Sequence, residues 1–207
     1  MPNPLSETVI DLYHRHAAYW DAARRGSDWN DRLWHQAFVK ELAGGSSVLD
    51  LGCGGGEPVT RFLVDHGLRV TGVDSSQSMI TLARDRLPEL EWIVADMRRL
   101  ALDRRFAGIL AWDSYFHLSH EAQRAMFAVF DAHAGDNAVL MFNSGPEHGE
   151  ATSTFTFKGE RLYHASLALA EYRALLDQIG FEVLCHVAND AGSGGRTVWL
   201  CRRKRRR

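Results

Sequence analysis

Short runs of apolar residues alternate with amphipathic segments from Val48 to the end of the chain. Seven of these runs are predicted to be strands, at about residues 47–51, 68–73, 91–95, 107–112, 137–142, 181–188 and 196–202. The amphipathic segments between them predict helices near residues 58–66, 76–87, 119–134 and 168–179. Strands that alternate with helices form a parallel sheet covered on both faces. The pattern therefore predicts an α/β fold with three layers, α/β/α.

The last two apolar runs are separated by residues 189–195, a stretch rich in glycine. Such a stretch is too short for the crossover helix that parallel strands need. We therefore expect an antiparallel hairpin at one edge, which makes the sheet seven-stranded and mostly parallel with an antiparallel last strand.

Two amphipathic segments, residues 5–25 and 28–43, precede the first strand and predict N-terminal helices. The residues expected to share a helical face are Leu12, His16, Tyr19 and Ala23 in the first, and Leu33, Trp34, Ala37, Phe38 and Leu42 in the second.

Residues 143–167 have no place in the alternating plan. Within them Thr152–Phe157 alternates polar and apolar residues, and Lys158-Gly159 follows. This is typical of a loop with a short hairpin. Ligands bind at the carboxyl ends of the strands in open α/β sheets, so this insertion is expected to build part of a ligand pocket.

Charge and length narrow the class of protein. The 207 residues indicate a single domain, and the formal net charge is −2. Six of the 24 basic residues form the tail 202–207, so the rest of the chain sets 18 basic against 26 acidic residues. An acidic body argues against a nucleic-acid groove, and the tail is interpreted as a solvated chain end.

The three cysteines, Cys53, Cys185 and Cys201, show no metal-binding spacing. An odd count without a signal peptide indicates reduced thiols in the cytoplasm. No apolar run approaches the roughly 20 residues that span a bilayer. We therefore expect a cytoplasmic protein with no membrane segment, as a monomer or homodimer.

The first strand runs directly into a glycine-rich loop with glycine at positions 52, 54, 55 and 56. Glycine permits a sharp turn and lets a ligand approach the backbone N–H groups. The second strand ends at Asp74. A glycine loop after one strand and a carboxylate at the end of the next is how α/β folds hold a nucleoside.

The loop does not fit the common phosphate-binding fingerprints. In the dinucleotide pattern G-x-G-x-x-G the third glycine would fall on Glu57 or Val59, depending on the frame. A Walker loop is excluded because no Gly-Lys-Ser/Thr follows. An acid at position 57 would repel a pyrophosphate but not a ligand that carries a sulfonium and an ammonium.

The order and spacing of four motifs resemble the class I S-adenosylmethionine-dependent methyltransferases. Val48–Gly56 is similar to the first motif of that family, which surrounds the methionine part of the cofactor, and Asp74 matches the acid that holds the ribose. Asp96 matches the position that reads the adenine amino group, with Met97 stacking nearby. Phe106–Asp113 matches the fourth strand, whose end faces cofactor and acceptor.

The resemblance implies a Rossmann-like fold, S-adenosylmethionine as cofactor, S-adenosylhomocysteine as product and a small molecule as acceptor. Residues 1–43 are similar to the helical lid of small-molecule methyltransferases, in which Tyr13 and Trp20 would cover the methionine end and Arg24 or Arg25 would meet its carboxylate. The cofactor-binding residues implied are Tyr13, Trp20, Arg24, Asp50, Gly52, Cys53, Gly54, Gly56, Asp74, Ser75, Met79, Asp96, Met97 and Trp112.

Histidines offer candidate general bases, which help an oxygen acceptor lose its proton. His117 follows the fourth strand, His164 precedes the last helix, and His148 lies in the insertion. His117 and His164 are assigned as catalytic, each against the ordinary interpretation of a surface or core histidine. Trp112, Tyr115, Phe116 and Tyr163 are candidates for an apolar acceptor pocket, with core packing as the alternative, favoured for Phe116.

Absent motifs restrict the acceptor. The fourth strand ends in Trp112-Asp113-Ser114-Tyr115, without the Asn/Asp-Pro-Pro-Tyr of enzymes that methylate nucleic-acid amino groups, and the paired glutamates of protein arginine methyltransferases are missing. Asp113 and Asn143 could begin a Mg²⁺ site but a third ligand is not evident, so no metal is predicted. Oxygen is slightly favoured as the acceptor atom over nitrogen or carbon. The alternatives are a non-catalytic S-adenosylmethionine-binding protein, a macromolecule methyltransferase and, least favoured, a nicotinamide-dependent oxidoreductase.

Overall fold

A computed structural model describes residues 4–152 and 159–205 of the chain. Its strands are β1 (Ser47–Leu51), β2 (Arg69–Asp74), β3 (Glu91–Val94), β4 (Phe106–Ala111), β5 (Ala134–Ser144), β6 (Gly149–Thr152), β7 (Tyr163–Ser166), β8 (Phe181–Asp190) and β9 (Arg196–Arg203). Its α-helices are α1 (Pro4–Arg15), α2 (Ala17–Gly26), α3 (Arg32–Lys40), α4 (Val59–Asp65), α5 (Gln77–Arg86), α6 (His120–His133) and α7 (Leu169–Gln178).

Seven strands form one sheet in the order β3-β2-β1-β4-β5-β9-β8. The pairs among β1 to β5 are parallel, whereas β9 lies antiparallel to both β5 and β8. The predicted fold class is confirmed, including the antiparallel hairpin made by β8 and β9. The strand order reverses between β1 and β4, and such a switch point opens a crevice at the carboxyl ends of the strands.

The central strands are buried on both faces because successive side chains point to opposite sides of the sheet. Leu49 and Ile109 face the layer that contains α6 and α7, where Phe130 and Tyr172 are buried. Val48 and Leu110 face the opposite layer, which contains α3 and α4. The two cores hold the strand ends in a fixed register, and therefore fix the loops that follow them.

The N-terminal region forms three helices, so the prediction of two is wrong. His16 leaves the helical conformation (φ −111°, ψ 19°) between α1 and α2. The chain changes direction there, and the face expected through Leu12 and Tyr19 does not continue. Leu12 is buried, but Tyr19 is 47% exposed, and α2 buries Ala17 and Asp21 instead. In α3 Phe38 is buried as expected, whereas Leu33 is 73% exposed.

The insertion contains a two-stranded antiparallel sheet of β6 and β7. Of the alternating segment Thr152–Phe157, which is predicted to belong to a short hairpin, Thr152 ends β6 and the other residues lie outside the described part of the chain.

The basic tail differs from its prediction. Arg203 belongs to β9, is 4% exposed and donates to the carbonyl oxygens of Asp131 and Ala134. Arg202 pairs with Glu41 at 2.5 Å. Residues 202 and 203 are therefore part of the sheet, and carbonyl and carboxylate oxygens around the strand end accept hydrogen bonds from both guanidinium groups.

Among the described residues, no helix has both the length and the apolar content needed to cross a bilayer. The cytoplasmic location and the choice between monomer and homodimer stay predictions.

Candidate cofactor and acceptor site

The glycine-rich loop is tied to the end of the neighbouring strand. The N–H groups of Gly52 and Cys53 both donate to the carbonyl oxygen of Val73, at 2.7 and 3.1 Å. Gly52 has a φ of +75°, and a Cβ on it would lie 2.3 Å from the Cβ of Ser114. Only glycine satisfies both the left-handed backbone and this close approach.

Asp74 is fixed at the carboxyl end of β2, as the nucleoside hypothesis requires. One carboxylate oxygen accepts the N–H of Gly54 at 2.9 Å and the other accepts the N–H of Ser76 at 2.8 Å. Burial raises the pKa of Asp74, and the two backbone hydrogen bonds partly oppose that shift. Asp74 lines the cavity that we call the cofactor cavity, and a carboxylate can accept further hydrogen bonds, so it can accept those of ribose hydroxyls there.

Asp50, near the end of β1, has a different role. The hydroxyl of Thr60 donates to it at 2.6 Å, and the carboxyl group is 3% exposed. Burial raises its pKa to about 6. Asp50 thus joins the end of β1 to α4. It also borders a second compartment, beside Trp20 and Arg24.

The cofactor cavity lies between the strand ends and the helices α1 and α2, and its volume is about 100 Å³. Met79 and Met97 give it apolar walls, and Ser75 lies beside Asp74. Asp96 is on its rim, where the N–H and the side chain of Arg98 donate to the carboxylate. Although burial acts to raise the pKa of Asp96, these contacts with Arg98 lower it, so Asp96 is ionised.

A second compartment continues the cofactor cavity toward Trp112 and Arg24, and we call it the methionine end. Trp20, Gly52, Gly54 and Asp113 border both compartments. The indole of Trp112 and the guanidinium of Arg24 both donate to Asp31, at 2.6 and 2.8 Å.

Two loop residues have narrower roles than the sequence assigned. Cys53 borders the methionine end, and burial raises the pKa of its thiol well above the ordinary value, so it is not a thiolate. Gly56 borders neither compartment. A Cβ on it would come within 3.0 Å of the ring of Trp92, so its contribution is to close packing behind the loop.

The helices α1 and α2 cover the cofactor cavity. Tyr13 and Trp20 meet edge to face with ring centroids 5.4 Å apart, and both line the cavity. Asp21, 5% exposed, accepts two hydrogen bonds of 2.5 Å from Arg86 at the end of α5. Arg86 also donates to the carbonyl oxygen of Gly55 at 2.9 Å. A buried ion pair therefore holds the covering helices against the glycine loop.

His117 is bound at both ring nitrogens. Its Nδ1 lies 2.9 Å from the carbonyl oxygen of Tyr163, which can only accept, so Nδ1 carries the proton. Its Nε2 therefore accepts a hydrogen bond from the hydroxyl oxygen of Tyr13, which also lies 2.9 Å away. Burial lowers the pKa of His117 to about 4, with a smaller contribution from His164. His117 is thus a neutral imidazole whose basic nitrogen holds the covering Tyr13.

His164 lies next to this pair with its nitrogens less constrained. Its ring centroid is 4.9 Å from those of Phe116 and His117, and it makes no hydrogen bond to the described residues. Burial lowers the pKa of His164 as well. His148 is exposed and stacks on His120, with the two ring centroids 4.5 Å apart.

Both His164 and His148 line a cavity of about 920 Å³ beneath the insertion, which we call the acceptor cavity. Tyr13, Trp20, Asp113 and His117 border this cavity and the cofactor cavity alike. The two cavities therefore adjoin at these four residues.

The aromatic candidates divide differently from the sequence prediction. Phe116 lines the acceptor cavity, whereas the sequence favours core packing for it. Tyr115 and Tyr163 are fully buried, and the hydroxyl of Tyr115 donates to the carbonyl oxygen of Gln123. These two tyrosines are core residues, and Trp112 borders the methionine end alone.

Sequence reasoning missed the ion pair of Asp113 and Arg196. Arg196 donates to both carboxylate oxygens of Asp113, at 2.8 and 2.7 Å, and Asn143 donates to the same carboxylate at 2.6 Å. Burial opposes ionisation of Asp113, yet Arg196 lowers its pKa below the usual value. No spacing in the sequence connects positions 113 and 196, because antiparallel pairing of β9 with β5 brings them together.

Asp113 and Asn143 are the two residues that could begin a Mg²⁺ site according to the sequence. Their pairing with Arg196 places a cation where a metal would lie. Within residues 4–152 and 159–205, no three His, Cys, Asp or Glu side chains form a metal site. That the protein uses no metal stays a prediction.

The residues present fit S-adenosylmethionine. The fixed carboxylate of Asp74, the apolar walls of Met79 and Met97 and the bare backbone of Gly54 suit an adenosine group. The methionine end continues from it and holds Arg24.

Comparison with known proteins agrees with this geometry. Residues 48–134 match the family described as a methyltransferase domain. Trans-aconitate 2-methyltransferase from Paracidovorax citrulli (strain AAC00-1) is 40% identical over 82 residues, which is 38% of this chain and 32% of the relative. The chain thus matches about a third of that relative's length.

Solved structures share the whole fold at low sequence identity. Magnesium protoporphyrin IX methyltransferase from Synechocystis PCC 6803, with bound S-adenosylmethionine, has a TM-score of 0.75 at 16% identity and covers 98% of both chains. An amino pentose methyltransferase from Micromonospora echinaspora, also with bound S-adenosylmethionine, has a TM-score of 0.71 at 20% identity and covers 90% of this chain and 97% of its own.

The fold is the Rossmann-like fold of both neighbours, and residues 48–134 match the methyltransferase domain family. These residues contain all four motifs, so the resemblance to class I methyltransferases inferred from the motifs is confirmed. S-adenosylmethionine is the cofactor of this class, as the bound ligands of both neighbours illustrate.

Proposed function

We propose that this chain transfers the methyl group of S-adenosylmethionine to an oxygen atom of a small molecule held in the acceptor cavity. The observation that carries this proposal is the junction of the cofactor and acceptor cavities at Tyr13, Trp20, Asp113 and His117. Ligands in the two cavities would meet at these residues. Alignment of two reactants in this way contributes roughly 7–11 kcal/mol to lowering a reaction barrier.

When bound, S-adenosylmethionine supplies a methyl group already activated by its sulfonium, so the residues around it need to bind, orient and exclude water. Asp74 accepts from the ribose hydroxyls and Asp96 from the adenine amino group. Arg24 meets the methionine carboxylate at the far end. Tyr13 and Trp20 close the site above the reacting atoms, which keeps water away from them.

His164 serves as the general base. It is neutral near pH 7, because burial lowers its pKa, and its nitrogens are not committed to other described groups. The acceptor hydroxyl proton passes to His164 as the new O–CH₃ bond forms. The S–CH₃ bond breaks in the same step, and its electron pair stays on sulfur. Base catalysis of this kind is worth about 10²–10⁴-fold in rate.

His117 is a positioning residue in this proposal. Its basic nitrogen already accepts a hydrogen bond from the hydroxyl of Tyr13. His117 therefore holds the covering helix and does not take up the acceptor proton. The size of the acceptor cavity favours an enzyme over a non-catalytic binding protein, because a sensor needs no second cavity beside the cofactor. The acidic wall residues of that cavity also disfavour a nucleic acid as the macromolecular alternative.

Calorimetric titration of S-adenosylmethionine, S-adenosylhomocysteine and NADH tests the cofactor. We expect the two adenosyl compounds to bind and NADH not to bind; the reverse pattern would refute the proposal. Transfer of a labelled methyl group to a panel of alcohols and phenols then tests the base. His164→Ala should lower kcat by about 10²–10⁴-fold, His117→Ala should chiefly raise KM, and His66→Ala, on the exposed end of α4, should change neither.

A further inference from the structure

We propose that the acceptor carries a protonated amine and no carboxylate. This inference rests on the proposed function, since it concerns the molecule that occupies the acceptor cavity.

Arg196 borders the acceptor cavity, but its donors are already used. Nε and Nη2 donate to the two oxygens of Asp113, and Nη1 donates to the carbonyl oxygen of Ser193 and lies 3.5 Å from the amide oxygen of Asn30. Arg196 is the one lysine or arginine among the described residues that line this cavity. An acceptor carboxylate would have to displace Asp113, which would leave a partly buried carboxylate without its partner.

The imidazoles near the junction do not replace the missing cation. Burial lowers the pKa of both His117 and His164, so both rings are neutral near pH 7. His117 is further bound at both nitrogens. A carboxylate placed beside these two histidines would therefore be taken out of water without a compensating charge, which is costly.

The outer wall of the cavity is acidic instead. Glu147 and Glu150 lie on the insertion and line the cavity beneath it. Both are exposed, and Glu150 approaches the ring of His120 at 3.9 Å. A protonated amine is attracted to these carboxylates, whereas a carboxylate is repelled by them.

The inner wall adds aromatic faces. Tyr13, Trp20 and Phe116 all line the cavity. Aromatic rings attract cations through the negative potential over their faces, most strongly when water is excluded. The acidic outer wall, the engaged Arg196 and the aromatic inner wall thus favour the same class of acceptor, an amine.

Matched compounds that share a ring and differ in one charged group provide the test. Protein saturated with S-adenosylhomocysteine is titrated at pH 7 with tyramine, 2-(4-hydroxyphenyl)ethanol and 4-hydroxyphenylacetate, and in a second series with glucosamine, glucose and glucuronate. We expect the amine of at least one series to bind ten times or more tighter than the acid of the same series. Trans-aconitate, a tricarboxylate, should bind no better than the acids.

A double variant, Glu147→Gln with Glu150→Gln, assigns the preference to the outer wall. It should reduce the preference for the amine over the acid to within about threefold and leave the binding of the neutral alcohol unchanged. Glu89→Gln, exposed and outside the cavity, is the matched control and should keep the wild-type preference.

Three results would overturn the inference: an acid that binds as tightly as the amine of its series, no amine binding in either series, or a preference that survives the double variant. Failure of S-adenosylhomocysteine to bind would instead refute the proposed function, so the two failures are distinguishable. Transfer of the methyl group to nitrogen, located by mass-spectrometric fragmentation, would support the amine while overturning the assignment of oxygen as the methylated atom.

Discussion

Asp74 combines two properties that ordinarily conflict, because it is enclosed and yet positioned to accept hydrogen bonds. The backbone N–H groups of Gly54 and Ser76 each satisfy one carboxylate oxygen and leave further lone pairs toward the cofactor cavity. Asp74→Ala is therefore expected to weaken the binding of S-adenosylhomocysteine by about 1–3 kcal/mol, or roughly fivefold to 150-fold. Isothermal titration calorimetry measures this change directly.

Two further variants separate ligand binding from support of the loop. Asp74→Asn keeps one oxygen acceptor and should lie between the wild type and Asp74→Ala. Asp65→Ala removes an exposed carboxylate at the end of α4 and should bind like the wild type. Equal affinities for Asp74→Ala and Asp65→Ala would show that the second strand does not contribute the ribose acceptor.

A buried ion pair ties the covering helix α2 to the end of α5, whereas α1 packs through the apolar residues Val9 and Leu12. Asp21 accepts from Arg86 and, at 3.0 Å, from Arg25. Burial acts to raise the pKa of Asp21, but its arginine partners lower it, so the pair is ionised. Since Trp20 of α2 and several residues of α1 line the cofactor cavity, we expect these helices to move when a ligand leaves it.

Asp21→Asn should therefore speed the release of S-adenosylhomocysteine. Loss of a hydrogen-bonded charge contributes about 1.5–3 kcal/mol, so we expect release at least ten times faster. Stopped-flow fluorescence follows it, with Trp20 in the cavity wall as reporter. Asp11→Asn breaks the exposed pair of Asp11 with Arg15 on α1 and should release at the wild-type rate. If both variants release alike, the ion pair does not hold the lid.

The strands and the N-terminal helices show why the elements differ in how well a sequence predicts them. β1 has the predicted bounds, because a strand buried on both faces is mostly apolar and its one buried acid, Asp50, is satisfied by Thr60. The break at His16 has no proline or glycine to mark it. Asp21 is buried only because Arg86, 65 positions away, supplies its partner. Helical periodicity treats such an aspartate as exposed, so it predicts the wrong face.

The residues of the candidate site also differ in how well the sequence predicts them. Gly52, Gly54 and Asp74 act through backbone geometry next to a strand end, which the local sequence encodes. The pairing of Tyr13 with His117 and that of Asp113 with Arg196 join elements distant in the chain. Such contacts depend on the strand order and on the position of the lid, so they become visible only in the folded molecule.

The stability of the whole molecule should depend on two histidines buried in the neutral form. His35 is fully buried between Trp29 and Trp112, and its Nδ1 donates to the carbonyl oxygen of Asp31. Burial lowers the pKa of His35 to about 4, as it does for His117. The unfolded chain binds these protons near pH 6.5, so the unfolded state holds more protons between pH 6.5 and 4.

The free energy of unfolding should consequently fall as the pH drops from 6.5 toward 4, by up to about 1.4 kcal/mol per pH unit for each histidine. Asp50 acts in the opposite direction, because its raised pKa makes the folded state bind a proton below about pH 6. A comparison of the wild type with His35→Phe cancels the contribution of Asp50, because both proteins contain it. His35→Phe fills the same space and does not titrate, at the loss of about 1 kcal/mol for one hydrogen bond at every pH.

Urea denaturation at pH 7 and pH 5 gives the free energy of unfolding of each protein. The loss between these two pH values should be about 2 kcal/mol smaller in His35→Phe than in the wild type, since roughly 1.5 pH units of the histidine's titration fall in this interval. Equal losses in the two proteins would mean that His35 is protonated with little cost in the fold. In that case the buried polar cluster at the start of α3 admits the charge, and the acid sensitivity of the molecule must come from His117 or the carboxylates.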